Sequence, residues 1–338
     1  MTVLVTGGSG LVGSHVIEAL RARGEEVRAL VRPAGRAAVE RLGAAVVLGD
    51  VTDPAAWRQA AQGVRGIVHA AALVAQRVSF DEFVAVNVGG TRRAIEAACT
   101  TGARLVHISS TAVYGRKFAY VAGREGIRIT EDFPFGPIEA HDFYARSKRM
   151  AEAVLWEHTA RGGLWAAAIR PNVIYGERDR LFSPKVVRAV RVGFIAQVGP
   201  GTNQLSCVYA GNVAAAVVAA LSSTVAGGHA YNTTNDGTVT QREFIDAFAE
   251  ALGKRVRRIP IPYGAAALGA TLWSEWQRLL YPVAYAGIGR AAVQFIAGDN
   301  PFVSDRARDE LGWQPPLPPR EAIRRTVRWL LENETPGR

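Results

Sequence analysis

The sequence contains little cysteine and little lysine. Its 338 residues include 2 cysteines, Cys99 and Cys207, which lie far apart and without the spacing of metal ligands. This argues against a disulfide-stapled secreted domain and predicts reduced thiols in a cytoplasmic protein without a bound metal. Of the 40 basic residues, 36 are arginines spread along the chain. A nucleic-acid binder would need them clustered in a stripe. We therefore expect no nucleic-acid partner, although the net charge is +10.

A long hydrophobic run is also missing. The longest apolar stretch near the C-terminus, Tyr263 to Leu272, is shorter than the ~20 residues that a membrane span requires. No basic segment precedes the first strand-like run, so a secretory signal is not expected. Contact with a membrane surface through the aromatic-rich segment from Trp273 to Tyr285 stays open as an alternative.

Strand and helix patterns alternate over the first 170 residues, which is typical of a parallel α/β sheet. The strand candidates are Val3–Thr6, Val27–Val31, Ala45–Leu48, Gly66–Ala70, Arg104–Ser109 and Trp165–Arg170. Helical stretches between and after them include Ser14–Arg23, Ala55–Gln62, Phe80–Cys99 and Tyr144–Arg161. Two further helical stretches are expected at Asn212–Leu221 and Gln241–Leu252. We predict a Rossmann-type doubly wound sheet in a dinucleotide-binding domain, residues 1–171, completed by parts of 202–235. Residues 172–201 and 236–338 would form a smaller C-terminal substrate-binding region.

A glycine-rich loop follows the first strand directly and opens a helix. It contains Gly7, Gly8, Ser9, Gly10, Leu11, Val12 and Gly13. Glycine at these places permits a tight turn, close approach of the backbone to a pyrophosphate and close packing of helix on strand. The phosphates would lie against the unpaired N–H groups of the helix. The loop therefore predicts a bound dinucleotide.

The residues that follow the second, third and fourth strands bear on whether the cofactor is NADP(H) or NAD(H). Arg32 follows the second strand, where an acidic residue would favour NAD, and a guanidinium there suits the 2′-phosphate of NADP(H). NADP(H) is favoured, and NAD(H) stays open because Arg32 is also explained as an exposed loop residue. Asp50 and Val51 follow the third strand, near the expected adenine. Ala70, Ala71 and Ala72 follow the fourth, where small side chains let the backbone lie against the cofactor.

Tyr144 and Lys148 are the candidate catalytic pair. A spacing of four residues places them one turn apart on one helix face. An adjacent ammonium would favour the phenolate, so that Tyr144 could exchange a proton with a substrate oxygen. Lys148 would also bind the nicotinamide ribose. Hydroxyls at the end of the fifth strand, Ser109 to Thr111, could hold the reacting oxygen or could cap the strand end.

Several ordered motifs resemble the extended short-chain dehydrogenase/reductase superfamily, the NAD-dependent epimerase/dehydratase family. They are Thr6-Gly7-x-x-Gly10-x-x-Gly13, Asp50-Val51, Asn87-Val88-Gly89-Gly90-Thr91, Ser109 to Gly115, Thr130-Glu131-Asp132, Tyr144-x-x-x-Lys148 and Arg170 to Gly176. The resemblance implies that Ser110 is the catalytic hydroxyl and that Asn87 supports the active site. It further implies that Pro171, Asn172 and Val173 form the turn beside the nicotinamide. A homodimer joined through the helices of Asn87 and Tyr144 is also implied.

At two positions the chain differs from motifs of the superfamily, and these differences indicate which subfamily it resembles. The dehydratases of this superfamily carry an Asp-Glu acid/base pair directly after the active-site threonine, where this chain has Thr111-Ala112, so water elimination is not expected. The epimerases place a diphosphate-binding arginine where this chain has Leu205. The sequence is thus nearest the branch of 3β-hydroxysteroid dehydrogenases and related reductases of hydrophobic ketones, including flavonoid and β-keto-acid reductases. The segment from Trp273 to Tyr285 is similar to that branch's C-terminal insert, although an ordinary packed helix explains it equally well.

We therefore expect hydride transfer between NADP(H) and a hydroxyl/ketone pair on a largely apolar small molecule, with Tyr144, Lys148 and Ser110 as the catalytic residues. Two alternatives stay open. The first is a sugar-nucleotide 4-epimerase that retains NAD. The second is a non-enzymatic NADP-sensing or assembly protein of the same fold, against which the Tyr/Lys pair argues.

Overall fold

The structure is a computed structural model that describes residues 1–74, 78–235, 237–280 and 289–333. The described residues form the following strands: β1 (Thr2–Thr6), β2 (Glu26–Val31), β3 (Ala45–Leu48), β4 (Gly66–His69), β5 (Arg104–Ile108), β6 (Ala166–Pro171), β7 (Val173–Tyr175), β8 (Phe194–Val198), β9 (Cys207–Tyr209), β10 (Ala230–Thr233) and β11 (Arg257–Ile261). Seven of them make one sheet, in the order β10-β6-β5-β4-β1-β2-β3. All pairings within it are parallel.

The helices lie between the strands and after them. They are α1 (Leu11–Ala22), α2 (Arg36–Glu40), α3 (Pro54–Ala60), α4 (Phe80–Phe83), α5 (Gly90–Thr101), α6 (Arg116–Arg124), α7 (Phe143–Ala160), α8 (Ser183–Val192), α9 (Ala210–Ser222), α10 (Gln241–Ala251), α11 (Tyr263–Leu280), α12 (Gly289–Ala297), α13 (Asp305–Leu311) and α14 (Pro319–Asn333). None of the helices within the described ranges is both long and apolar enough to cross a membrane.

Both faces of the sheet are covered by helices. Val5 and Val106 belong to an apolar cluster on the face of α1 and α9, whereas Leu4 and Leu105 belong to a second cluster on the face of α3, α5 and α7. Successive strand residues point to opposite faces, so a strand buried on both sides reads as a continuous apolar run. This is why the predicted strands at the centre of the sheet stand out in the sequence, whereas β3, at the edge, is partly exposed. The prediction of a Rossmann-type sheet is confirmed.

Two of the differences between the helices and the sequence-based expectation lie between β4 and α7. The predicted helix Phe80–Cys99 is a continuous helical path of α4, a π-helical stretch over Val84–Gly89, and α5. The wider turn of a π-helix is common at functional sites. Helix α6 was not anticipated, because it follows a glycine with a positive φ and has no acidic residue in its first turn.

The C-terminal part has its own apolar core. Buried residues of α8, α10 and α14, such as Val187, Phe248 and Val327, pack together there. Two small parallel pairs, β7 with β9 and β8 with β11, connect this part to the sheet. The seventh strand of the large sheet, β10, comes from late in the chain. The division into cofactor and substrate regions stays a prediction.

Candidate active site

The glycine loop joins β1 to α1 as a tight cradle. Gly7 has a φ of +69°, and a Cβ on it would lie 2.7 Å from the backbone nitrogen of Ala71. A Cβ on Gly13 would lie 2.3 Å from the carbonyl oxygen of Gly7. In the described structure no side chain caps α1, whose N-cap is Gly10, and its first turn holds no acidic residue. Unpaired N–H groups at a helix N-terminus bind phosphate, so the cradle fits the pyrophosphate of a dinucleotide.

The other residues of the loop pack against α1 and against the loop that follows β2. A Cβ on Gly8 would lie 2.8 Å from Cδ1 of Ile17, and one on Gly35 would lie 2.7 Å from Oγ of Ser9. Leu11 and Val12 are half-buried at the start of α1. The contact between Gly35 and Ser9 brings the loop after β2 against the phosphate cradle.

Arg32 lies at the start of that loop and is exposed. Its neighbour Arg36 is paired with Glu40 through Nε and Oε1 at 2.8 Å. After β3, Oδ1 of Asp50 accepts hydrogen bonds from the backbone nitrogen and the hydroxyl of Thr52, at 3.0 and 2.8 Å. Arg32 is thus placed where a 2′-phosphate could be bound, and the contacts of Arg32, Asp50 and the buried Val51 with a cofactor stay predictions.

The ends of β1 and β4 are tied together. The Thr6 hydroxyl lies 2.8 Å from Nδ1 of His69 and accepts from the backbone nitrogen of Ala71 at 3.3 Å. Ala70, Ala71 and the next residue, Ala72, are half-buried. The two strands are neighbours whose crossovers run in opposite directions, and ligands of open α/β sheets bind at such a point.

Asn87 ties the segment after β4 to α7. Its side chain is buried; Nδ2 donates to Oγ of Ser147 at 2.9 Å, and Oδ1 accepts from the backbone nitrogen of Leu73 at 2.7 Å. Ser147 in turn donates to the carbonyl of Tyr144 at 2.9 Å. Asn87 is therefore hydrogen-bonded to α7, and its support of the active site, which the family resemblance implies, stays a prediction.

Tyr144, on α7, and Ser110, which follows β5, lie close together. Oδ1 of Asp142 caps α7 by accepting from the backbone nitrogen of Ala145 at 3.1 Å. The first turn of α7 carries Tyr144, whose phenol lies beside the Ser110 hydroxyl. Burial raises the pKa of Tyr144, while Ser110 and the positive charge of Arg116 lower that pKa and Asp142 raises it. The phenol is therefore protonated at neutral pH and can donate a proton.

Lys148 lies one turn further along α7 and is directed at the end of β5. Its Nζ donates to the carbonyl oxygen of Ile108 at 2.6 Å. Burial lowers the pKa of Lys148 to about 8, against the opposing effect of Glu152. The pair occupies one helix face as predicted from the spacing. A contact of Lys148 with a ribose stays a prediction.

Pro171, Asn172 and Val173 form the turn between β6 and β7. Nδ2 of Asn172 donates to Oγ of Ser206 at 2.6 Å and to the hydroxyl of Tyr120 at 3.1 Å. This turn therefore faces β9 and α6 through its asparagine, and its place beside a nicotinamide stays a prediction.

Two charged residues of the site were not singled out by the sequence reasoning. Asp142 could have been found, since an aspartate directly before a helical run is a common N-cap. Arg116 carries no such signal. Its guanidinium carbon lies 5.7 Å from the centroid of the Tyr144 ring only because α6 and α7 meet there.

A cleft of about 230 Å³ is lined by Arg116 and Asp142, the two charged residues near Tyr144. Thr271, Ser274 and Glu275 of α11 line its other side. The opposite face of α11 is apolar and exposed, with the rings of Trp273 and Trp276 5.1 Å apart. Residues 273–280 of the predicted insert belong to this helix, and residues 281–285 lie outside the described residues.

The position of the epimerase arginine is buried in apolar surroundings. Leu205 is 4% exposed and belongs to the core cluster that contains Tyr175 and Phe244. An apolar side chain cannot pair with a diphosphate. This site therefore lacks that contact.

Comparison with known proteins agrees with the site geometry. Residues 3–233 match the model of the NAD dependent epimerase/dehydratase family. The chain belongs to this family. It is an NAD(P)-dependent oxidoreductase of the dehydrogenase/reductase kind, and its sheet and glycine loop are those of the extended short-chain members.

Its relatives include reductases and dehydrogenases. The chain is 33% identical to 4-hydroxy-2-methyl-3-oxo-4-farnesyl-3,4-dihydroquinoline-1-oxide ketoreductase of Stigmatella aurantiaca, over 93% of this chain and 92% of that protein. It is 30% identical to 3β-hydroxysteroid dehydrogenase/Δ5→4-isomerase of Mycobacterium tuberculosis, over 95% and 88%. Among solved structures it is similar to Thermus thermophilus UDP-glucose 4-epimerase in complex with NAD, with a TM-score of 0.72, 27% identity and coverage of 99% and 100%.

Proposed function

We propose that this protein catalyses reversible hydride transfer between NADP(H) and a hydroxyl/ketone pair on a largely apolar substrate. A 3β-hydroxysteroid, a β-keto acid or a flavanone-like ketone fits this description. The observation that carries the proposal is the proximity of the Tyr144 phenol to the Ser110 hydroxyl, just beyond the carboxyl end of β5. It presents a proton donor and a second hydroxyl where ligands of this fold bind.

The side chains divide the work as follows. The nicotinamide cofactor, when bound, donates or accepts the hydride. In the reduction direction the Tyr144 phenol donates its proton to the substrate oxygen, while the Ser110 hydroxyl holds that oxygen and stabilises its developing negative charge. In oxidation the proton returns from the substrate hydroxyl to the Tyr144 oxygen. Lys148 lies one turn away and would bind the ribose. Proton transfer by a positioned side chain contributes roughly 10²- to 10⁴-fold to the rate.

The apolar character of the substrate is argued from Leu205 and from the relatives. A buried leucine replaces the arginine that would hold a sugar nucleotide. The two curated relatives quoted above are named for a farnesylated ketone and for a steroid. Both observations favour a molecule held by apolar contacts.

The preference for NADP(H) rests on Arg32. It is exposed at the end of β2, on the loop that touches Ser9 of the phosphate cradle. A guanidinium there can pair with a 2′-phosphate. Replacing it, Arg32→Ser, should raise KM for NADPH roughly tenfold or more and leave KM for NADH nearly unchanged, because one charge-assisted contact contributes about 1.5–3 kcal/mol. Equal effects on both cofactors would contradict the NADP(H) assignment.

The decisive assay follows NADPH absorbance with purified protein across steroids, β-keto acids and flavanones. Tyr144→Phe is the matched variant, since it keeps the ring and removes only the hydroxyl. We expect turnover with one class of ketone and a loss of at least ~100-fold in the variant. Cofactor affinity, measured by fluorescence titration, should not change. Normal turnover by Tyr144→Phe would refute the role of the phenol.

A second candidate is a sugar-nucleotide 4-epimerase, favoured by the similarity to the UDP-glucose 4-epimerase structure. Such an enzyme would retain NAD through purification and show no net cofactor turnover. Denaturing the protein and separating the released nucleotides distinguishes the two. NAD in stoichiometric amount, together with no ketone reduction, would favour the epimerase.

We also propose a homodimer in which α5 and α7 of two copies pair, as the family resemblance implies. Exposed residues such as Cys99 and Met150 lie on these helices. Light scattering of the purified protein gives the mass directly. A monomer at assay concentration would exclude this arrangement.

A further inference from the structure

We propose that Arg116 is a positioning residue of this site: its guanidinium, held by Asp142, lies against the ring of Tyr144 and stabilises the negative charge that its oxygen carries during turnover. The inference rests on the proposed function, in which Tyr144 exchanges the proton, and adds to it a cation that comes from a different element than Lys148.

The guanidinium lies within cation–π range of the Tyr144 ring and is partly shielded from water. The guanidinium carbon of Arg116 lies 5.7 Å from the centroid of the Tyr144 ring. Nη1 of Arg116 lies 3.6 Å from Oδ2 of Asp142, and the side chains are 26% and 12% exposed. An opposite charge within about 6 Å of an ionisable group favours its charged form, and this effect is stronger away from water.

A tight turn and hydrogen bonds to α7 fix the backbone next to Arg116. Gly115 has a φ of +85°, and a Cβ on it would lie 2.5 Å from the carbonyl oxygen of Pro137. Arg149 of α7 donates to the carbonyls of Val113 and Gly136, at 2.8 and 2.7 Å. The turn that begins at Ser110 is therefore clamped onto α7, and α6 starts from it at a fixed place.

Asp142 has two tasks at this point. One carboxylate oxygen caps α7 and so fixes the helix that carries Tyr144, and the other pairs with Arg116. Its own charge opposes the phenolate, as the direction of its effect on the pKa of Tyr144 shows. Arg116 and Asp142 therefore act on the phenol with opposite signs.

Other charged groups face the same region from each neighbouring element. They are Lys148 on the same helix, Glu139 and His141 from the preceding loop, and Glu275 from α11. His141 and Glu139 are paired with each other at 3.2 Å. The charge of Arg116 lowers the pKa of Tyr144, and the charge of Asp142 raises it.

The consequence is a pH dependence of the oxidation direction. The substrate hydroxyl gives its proton to the ionised Tyr144 oxygen as the hydride leaves carbon for NADP⁺. The rate therefore rises with pH until the phenol is ionised. Removing the Arg116 charge moves this rise to higher pH, and removing the Asp142 charge moves it to lower pH.

The experiment measures kcat for alcohol oxidation against pH in wild type, Arg116→Gln, Arg116→Lys and Asp142→Asn. Asparagine caps a helix about as well as aspartate does, so the last variant changes the charge and keeps the cap. Arg124→Gln is the control, because it removes the same charge from the far end of α6. We expect shifts of about 0.5–1 pH unit upward for Arg116→Gln and in the opposite direction for Asp142→Asn. Arg116→Lys should restore most of the profile, and Arg124→Gln should leave it unchanged.

A loss of activity at every pH with an unchanged profile would mean that Arg116 is merely structural and would overturn the inference. Shifts of the same sign in both charge variants would overturn it too. If the wild type oxidises no alcohol at all, the proposed function fails, and NMR of protein labelled at the tyrosine Cζ still decides the Arg116 question. The resonance of Tyr144 is identified as the one that is absent from the spectrum of Tyr144→Phe. Its titration should occur at higher pH in Arg116→Gln than in wild type.

Discussion

The ion pair between Glu152 and Arg170 fixes the helix of Tyr144 onto the sheet, and breaking it should cost more stability than any surface pair. The two side chains are 0% and 4% exposed. Nε of Arg170 lies 2.9 Å from Oε1 of Glu152, and Nη2 lies 2.6 Å from Oε2. Burial lowers the pKa of Arg170, but Glu152 and Tyr114 outweigh it and the net pKa is raised. An arginine is not deprotonated in proteins, so the guanidinium stays charged when its partner is removed.

Glu152→Gln keeps the shape and removes the charge. It leaves a buried cation without a counter-ion, which costs about 3–5 kcal/mol. The free energy of unfolding from urea titration should fall by that amount. Glu157→Gln is the control, because Glu157 pairs with Arg161 on the same helix and both are more than half exposed. Such a pair contributes roughly 0.3–0.5 kcal/mol.

Glu152→Met, Arg170→Met and the variant that combines them form a double-mutant cycle, in which the double variant is the decisive member. It removes both charges, so its cost should be well below the sum of the single changes, by at least ~2 kcal/mol. The double variant should still have a lower free energy of unfolding than wild type, because Arg170 also donates to the hydroxyl of Tyr114 at 2.7 Å and to the carbonyl of Glu131 at 3.2 Å. Additive costs, or a single-variant cost below ~1 kcal/mol, would refute the reasoning.

Three further predictions concern buried groups and the phosphate loop. The pKa of Lys148 is lowered to about 8 in the folded protein. Between that pH and the ordinary pKa of a lysine, the unfolded chain therefore binds more protons than the folded chain does. Urea stability should therefore rise with pH in that window, by up to ~1.4 kcal/mol per unit, and Lys148→Met should remove the slope. Burial lowers the pKa of His107 well below its usual range; stability should fall as pH drops below ~6.5, and less so in His107→Leu. Gly13→Ala should abolish NADPH binding, because its Cβ would meet Gly7 at 2.3 Å, whereas Gly24→Ala, with open space around it, should bind normally in fluorescence titrations. A flat stability profile for wild type, or equal cofactor affinities of the two alanine variants, would contradict them.

The sequence alone determined the sheet and the cofactor loop. Strands such as Val3–Thr6 are buried on both faces by helices, so their apolar runs are continuous and easily read. The glycines at positions 7 and 13 are fixed by backbone contacts within a few residues or with the neighbouring strand. The four-residue spacing of Tyr144 and Lys148 is likewise a local property of a helix.

The tertiary structure decided what surrounds the phenol. Arg116 and Asp142 are 26 positions apart in sequence, and they meet at Tyr144 only because a left-handed glycine at position 115 starts α6 against α7. Lys148 lies on the predicted face, but its hydrogen bond is to the carbonyl of Ile108, which the spacing could not reveal. Charges act through space over a few ångströms, whereas sequence patterns record only neighbours along the chain. That Arg116 acts on the ionisation of Tyr144 therefore became visible only when the helices were packed.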